Sequence, residues 1–214
     1  WRKASAAQEE NLHRRTNLMH CLEDPYHVNP ARSWSFPIPQ FGGLYIPGVT
    51  VFRGSEPNGY PFLPKPALVS IVAAAALKLP PTEIDPATGE EILDKKLAKD
   101  TLRKIEAILS IAVEHGHEFL VLSAFGCGAY ANPPGHVAKL FRQALLSPRF
   151  AGRFSHVVFA ILDSELGTDQ EASSSQSTPS QTESIKKSKA FIFAKAFDVD
   201  LLNQDGSVLL DKGS

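Results

Sequence analysis

Residues 119–134 read Phe-Leu-Val-Leu-Ser-Ala-Phe-Gly-Cys-Gly-Ala-Tyr-Ala-Asn-Pro-Pro, an apolar run that stops at a Gly-x-Gly turn. Phe119 to Leu122 is short, apolar and bounded by turn formers, which predicts a strand covered on both faces. Downstream, Val137, Leu140, Phe141, Ala144 and Leu145 recur at helical spacing between His136 and Leu146. Strand, glycine turn and helix in this order point to an α/β class. Gly126 and Gly128 leave the backbone bare, so a phosphate can approach main-chain N–H groups, and the helix start adds a favourable dipole. A tight strand-to-helix turn accounts for the same two glycines, because a lone Gly-x-Gly is weak evidence. Both readings stand at this level.

The flanking pattern supports alternation of strand and helix. Residues 6–22 carry Leu12, Arg15, Leu18, Met19 and Leu22 at three- and four-residue steps, which predicts one helix ended by Asp24-Pro25. Tyr26 to Gly48, with Pro30, Pro37, Pro39 and Pro47, reads as a long loop. Val49–Phe52 and Leu68–Ala75 are expected strands, and residues 82–96 an exposed excursion. From Leu97 to about Glu114 a helix is predicted, apolar at Leu102, Ile105, Ile108, Leu109 and Ala112, with Lys96, Lys99, Arg103 and Lys104 at polar positions. His156–Leu162 is a further expected strand. Residues 164–188, rich in Ser, Gln and Thr, read as a disordered insertion without chemistry. Ala190–Phe197 is expected as a late strand, followed by a polar tail.

Composition narrows the function. The 214 residues are 43% hydrophobic and 21% charged, which suits one globular domain over residues 1–214. A net charge of −1 argues against general affinity for nucleic acid or anionic membrane, so any phosphate recognition must be local. The longest apolar stretches, such as Ala67–Leu77, fall short of the ~20 residues of a spanning helix, and no signal-peptide pattern is present. Cys21 and Cys127 are too few for a disulfide framework and lack metal-ligand spacing, so no metal and no cofactor is implied. These features predict an intracellular protein, cytoplasmic or nuclear, and a monomer.

Two sets of side chains are candidates for chemistry. Gln8-Glu9-Glu10 begins the first predicted helix, and consecutive helical residues are turned by about 100°, so one carboxylate can serve as an acid while its neighbour orients a ligand. Acidic residues in a first turn also complement the helix dipole, and Glu10 with Arg14 makes an i,i+4 pair open to a purely structural reading. Cys127, between two glycines, is a candidate nucleophile with His20, His117 or His136 as its base, or simply a small filler. Phe125 and Tyr130 are placed to pack against a ribose or base, or to complete the core.

Ala-Gln-Glu-Glu-Asn-Leu-His-Arg-Arg-Thr-Asn-Leu at 7–18, Val51-Phe52-Arg53, the loop at 120–134 and Val157–Asp163 occur in one order, and together they resemble the microbial-type poly(ADP-ribose) glycohydrolases. The resemblance covers roughly residues 4–163. It implies a macrodomain, a three-layer α/β/α sandwich around a mixed central sheet that binds ADP-ribose at the strand ends. By this resemblance Glu10 is the acid that protonates the departing oxygen at the anomeric carbon, Glu9 holds the ribose hydroxyls and Gln8 completes the motif. The segment Ser123, Phe125, Gly126, Cys127, Gly128, Ala129 and Tyr130 wraps the diphosphate, with Cys127 a spacer and Tyr130 near the ribose. The implied partners are ADP-ribose, poly(ADP-ribose) or ADP-ribosylated protein. Family members also carry a Gly-rich loop upstream of Gln-Glu-Glu, which this sequence, starting at Trp1, does not include, so an N-terminally trimmed chain is the expectation. Two functions follow as expectations: a glycohydrolase, and an ADP-ribose-binding module without turnover.

Overall fold

The computed structural model describes residues 8–23, 38–162, 185, 187–199, 201–202 and 208–210. The expected helix stop at Asp24-Pro25, the loop up to residue 37 and most of the 164–188 insertion lie outside these residues. Two compact units are present, Trp1–Ala75 and Ala76–Ser214.

In the first unit the predicted single helix is two, α1 (Gln8–Arg15) and α2 (Leu18–Glu23). Thr16 and Asn17 break it by bonding elsewhere. The Thr16 hydroxyl donates to the Leu12 carbonyl at 2.8 Å and accepts from Leu18 N–H at 3.1 Å, closing one helix and opening the next. Asn17 accepts from Thr50 N–H at 2.7 Å and donates its own N–H to the Thr50 carbonyl at 3.2 Å. These bonds dock the junction on β1 (Leu44–Arg53), which runs antiparallel to β2 (Phe62–Ala73), with Leu44 opposite Ala73 and Val51 opposite Ala67. Both strands begin earlier than their expected ranges. Pro47-Gly48 had placed the start of β1 in a loop, but the register shifts between Ile46 and Val49, and an irregularity of this kind tolerates a proline. Leu18, Leu44, Ile46 and Val49 form the core of this unit.

The second unit opens with a hairpin, β3 (Thr82–Ile84) with β4 (Glu91–Leu93), where an excursion was expected. Asp85 organises its turn, accepting from Ala87 N–H at 2.9 Å. Asp94 then caps α3 (Lys95–Glu114), accepting from Lys96 and Leu97 N–H, each at 2.8 Å. Lys104, assigned by periodicity to the polar side, is buried, and desolvation lowers its pKa against the opposing pull of Asp100.

β5 (Phe119–Leu122) pairs in parallel with β6 (His156–Phe159). Leu120, Leu122 and Phe159 pack on the core, but Phe119 and Val121 are 69% and 76% exposed. The expected cover on both faces is therefore present on one, and the open face carries Phe119 stacked on His156. α4 (Pro134–Leu145) supplies Val137, Ala138, Leu140, Phe141 and Ala144 to the core, as its spacing predicts. The expected late strand is a helix, α5 (Lys189–Phe197), capped by the Ser188 hydroxyl accepting from Phe191 N–H at 3.1 Å. Phe193 and Phe197, one helical turn apart, both meet the Phe159 ring, at 5.2 and 5.0 Å. The expected polar tail contains a short antiparallel pair, β7 (Leu201–Leu202) and β8 (Val208–Leu210).

The architecture is thus mixed α/β, and the described strands form four two-stranded sheets. Among the described residues no helix is long and apolar enough to cross a membrane.

Candidate functional site

Gln8, Glu9 and Glu10 belong to the first unit and Ser123–Tyr130 to the second. Within each unit the sequence-predicted residues are neighbours.

The three motif residues open α1, with both carboxylates in its first turn. The two carboxylates differ in setting, as the helical rotation between them requires. Glu9 is 75% exposed at the side chain and lies 3.9 Å from His13 Nε2. Glu10 is partly buried, and its Oε2 is enclosed with no hydrogen-bond partner among the described residues. The rest of the motif serves the fold. Asn11 donates to Glu56 Oε2 at 3.3 Å, Arg15 donates to the Arg53 carbonyl at 3.3 Å, and Thr16, Asn17 and Leu18 anchor the helix junction. Among the described residues, Gln8-Glu9-Glu10 contributes no such anchor.

In the second unit the chain leaves β5 and bends at Gly126, whose φ is +75°. A Cβ there would lie 2.5 Å from Asn132 Nδ2 and 2.8 Å from the Ala76 Cβ, so glycine is required by packing as well as by φ. Gly128 differs. A Cβ there would meet nothing within 4 Å, and Gly128, Ala129 and Tyr130 are exposed. The N–H groups of Gly126, Gly128, Ala129 and Tyr130 make no hydrogen bond to a described residue, whereas the loop carbonyls are engaged, Gly128 by Ala131 N–H at 2.9 Å and Tyr130 by Leu79 N–H at 2.9 Å. A short run of amide donors with no partner among the described residues, carried largely by exposed residues, suits an oxyanion acceptor. Phe125 and Ser123 are half-buried, Phe125 against the core, while the Tyr130 ring stands at the surface.

Cys127 is buried in the core, with Sγ 3.6 Å from the Phe125 carbonyl oxygen. Burial pushes its thiol up to about 12, against the pull of Lys189, so at neutral pH it is no nucleophile. Of its candidate bases, His136 is engaged elsewhere, its Nδ1 accepting from Leu93 N–H at 2.9 Å. Among the described residues no group of three or more His, Cys, Asp or Glu is placed to hold a metal ion.

Two open hollows occur elsewhere in the second unit. One, of about 280 Å³, is lined by Ser110, Val113, Glu114, Arg149, Phe150 and Arg153, and the other, of about 700 Å³, lies between α4 and α5 beside Lys139, Arg142 and Lys195. Neither is lined by a motif residue. The amide run and the two carboxylates of α1 carry more chemistry than either hollow.

Asn132 is a site-shaping residue that the sequence reading passed over. It is 3% exposed, and its Nδ2 donates to the carbonyls of Leu77, Gly126 and Tyr130. An Asn directly before Pro133-Pro134 was the available signal, but in sequence it reads as an ordinary turn residue.

Residues 1–54, which include Gln8-Glu9-Glu10, match the microbial-type PARG catalytic domain family, PARG being poly(ADP-ribose) glycohydrolase. The Deinococcus radiodurans PARG solved in complex with ADP-ribose is 26% identical, with a TM-score of 0.57, over 90% of this chain. The chain is a relative of the microbial-type PARGs. The Thermomonospora curvata PARG is 28% identical over 91% of the chain, with a TM-score of 0.57. Its complex with the inhibitor ADP-HPD is 31% identical over 77%, with a TM-score of 0.54. The chain spans 68% of the first PARG, 61% of the second and 59% of the inhibitor complex. No curated protein matches it in sequence.

Proposed function

We propose that the chain is an ADP-ribosyl glycohydrolase that cleaves the ribose glycosidic bond of poly(ADP-ribose) or of protein-linked ADP-ribose by carboxylate acid/base catalysis. The two units are then read as one ADP-ribose-binding macrodomain, a three-layer α/β/α fold in which β5 and β6 belong to a mixed central sheet. The observation that carries the reading is the exposed amide run at Gly128–Tyr130, which matches the acceptor oxygens of a diphosphate. Glu10 protonates the leaving oxygen at the anomeric carbon, and its carboxylate then takes a proton from the attacking water. Glu9, exposed beside it, accepts hydrogen bonds from ribose hydroxyls, and Gln8 supports them. The oxocarbenium-like centre draws on the substrate's own diphosphate for negative charge. Cys127 fills space, and Tyr130 offers its ring to the ribose.

A second reading, an ADP-ribose-binding module without hydrolysis, is favoured by the same amide run, because that feature serves affinity without serving proton transfer. The chain is incubated with poly(ADP-ribose) and with ADP-ribosylated protein while ADP-ribose release is followed, and ADP-ribose binding is measured by calorimetry. Release from either substrate is expected. Binding without release would leave the module, and no binding at millimolar ligand would remove both readings.

A further inference from the structure

We propose that Asn132 is the positioning residue that holds the Gly126–Tyr130 loop in its ligand-receiving shape. The inference rests on reading that loop as a diphosphate site. Asn132 lies beneath the loop, 3% exposed, out of reach of any ligand at the surface. Its Nδ2 faces three carbonyl oxygens, Leu77 at 2.7 Å, Gly126 at 3.0 Å and Tyr130 at 3.3 Å, and its own N–H donates to Gly126 at 3.0 Å. The three acceptors fix the amide's orientation, since the flipped form would set an oxygen against them. Two of those carbonyls belong to the ends of the segment whose amides have no partner among the described residues. Tying both ends to one side chain sets the curvature between them, and Leu77 anchors the assembly to the 76–79 segment, which also bonds Tyr130 through Leu79 N–H.

The loop needs such a hold. Gly126 at φ +75° and Ala131 at φ +50° are both left-handed, and a non-glycine residue such as Ala131 persists there only where its surroundings enforce it. Gly126 and Asn132 are also matched: a Cβ on the glycine would clash with the amide nitrogen, at 2.5 Å. Asn132 thus acts on a ligand only through the backbone it holds.

The test uses the full chain with Asn132→Asp, which keeps the shape and removes the donors, and Asn132→Ala. Should these fail to fold, Asn132→Ser, which keeps one donor on a shorter arm, replaces them. Amide hydrogen exchange, read without ligand, is expected to speed at least tenfold at the bonded loop amides of Cys127, Ala131 and Leu79 while the amides of Ile105 and Leu109 in α3 stay unchanged. ADP-ribose affinity, by calorimetry, is expected to fall at least tenfold. Loop exchange that does not change, or that rises only in step with α3, overturns the clamp, as does unaltered affinity in variants of a chain that binds. A wild-type chain that does not bind ADP-ribose would sink the diphosphate reading, and the exchange result would still decide whether Asn132 holds the loop.

Discussion

At Gly126 the backbone is left-handed and a Cβ would run into the Asn132 amide, whereas at Gly128 the same atom would enter empty space. Gly126→Ala is therefore expected to cost about 1–3 kcal/mol of stability in a denaturant titration, from the left-handed conformation and the overpacked contact together. Gly128→Ala is expected to leave stability within about 0.5 kcal/mol, as an exposed substitution does. Its effect belongs to the ligand: a methyl group on the diphosphate path should weaken ADP-ribose binding about tenfold, or about 1.4 kcal/mol. Undiminished affinity in Gly128→Ala would show that the loop is not a ligand wall. In sequence the two glycines looked alike, and a turn and a phosphate cradle competed for both. The structure divides them, because what separates them is the packing around each, with Asn132 and Ala76 brought to Gly126 from other parts of the chain.

Elements were legible where one local pattern decides and were misread where a partner decides. α3 and α4 follow from their apolar spacing alone. The Ala190–Phe197 run alternates its phenylalanines well enough for a strand, and the Ser188 cap with the Phe159 ring makes it a helix. The α1–α2 break lies at Thr16-Asn17 because Asn17 pairs with Thr50, which no periodicity reveals. β5 was read as covered on both faces, and its open face gives a test. Val121→Thr should change stability by less than about 0.5 kcal/mol, while Leu120→Ala on the packed face should cost about 1–3 kcal/mol in the same unfolding experiment. Equal costs would mean that the exposed face is covered in solution.

A second element-level test concerns pH. His136 on α4 accepts from Leu93 N–H on β4, and its pKa is lowered by burial first and by Lys139 second, against Glu90. Protonation of Nδ1 ends that bond. A depressed folded-state value means that the stability it contributes is complete above the ordinary value of about 6.5 and is lost as pH falls below it. Thermal unfolding of the wild type should weaken between pH 7.5 and 5.5 more than that of His136→Asn, whose Oδ1 takes the place of Nδ1 and accepts from Leu93 without titrating. Parallel curves for the two proteins would remove His136 from the pH dependence.

At the scale of the molecule, the proposed function assigns diphosphate recognition to neutral backbone donors of the loop and the acid/base work to α1. Both motifs were visible in the sequence, yet spacing alone could not say which residues after Gln8-Glu9-Glu10 anchor the helix to the body of its unit. That became evident only when Asn11, Arg15, Thr16 and Asn17 were found bonded to the body of their unit. The division between the loop and α1 predicts separable losses. Glu10→Gln removes the transferable proton while keeping the side chain's size, so ADP-ribose release should fall by about 10²- to 10⁴-fold, the usual contribution of general acid catalysis. Its affinity for ADP-ribose should change little, because the loop amides proposed to receive the diphosphate are untouched, whereas Gly128→Ala should show the reverse pattern. The two constants are measured on the same preparations, release from poly(ADP-ribose) and calorimetric binding of ADP-ribose. Release that survives Glu10→Gln would take the acid away from Glu10, and an affinity loss in that variant as large as the rate loss would make the residue a binding group instead.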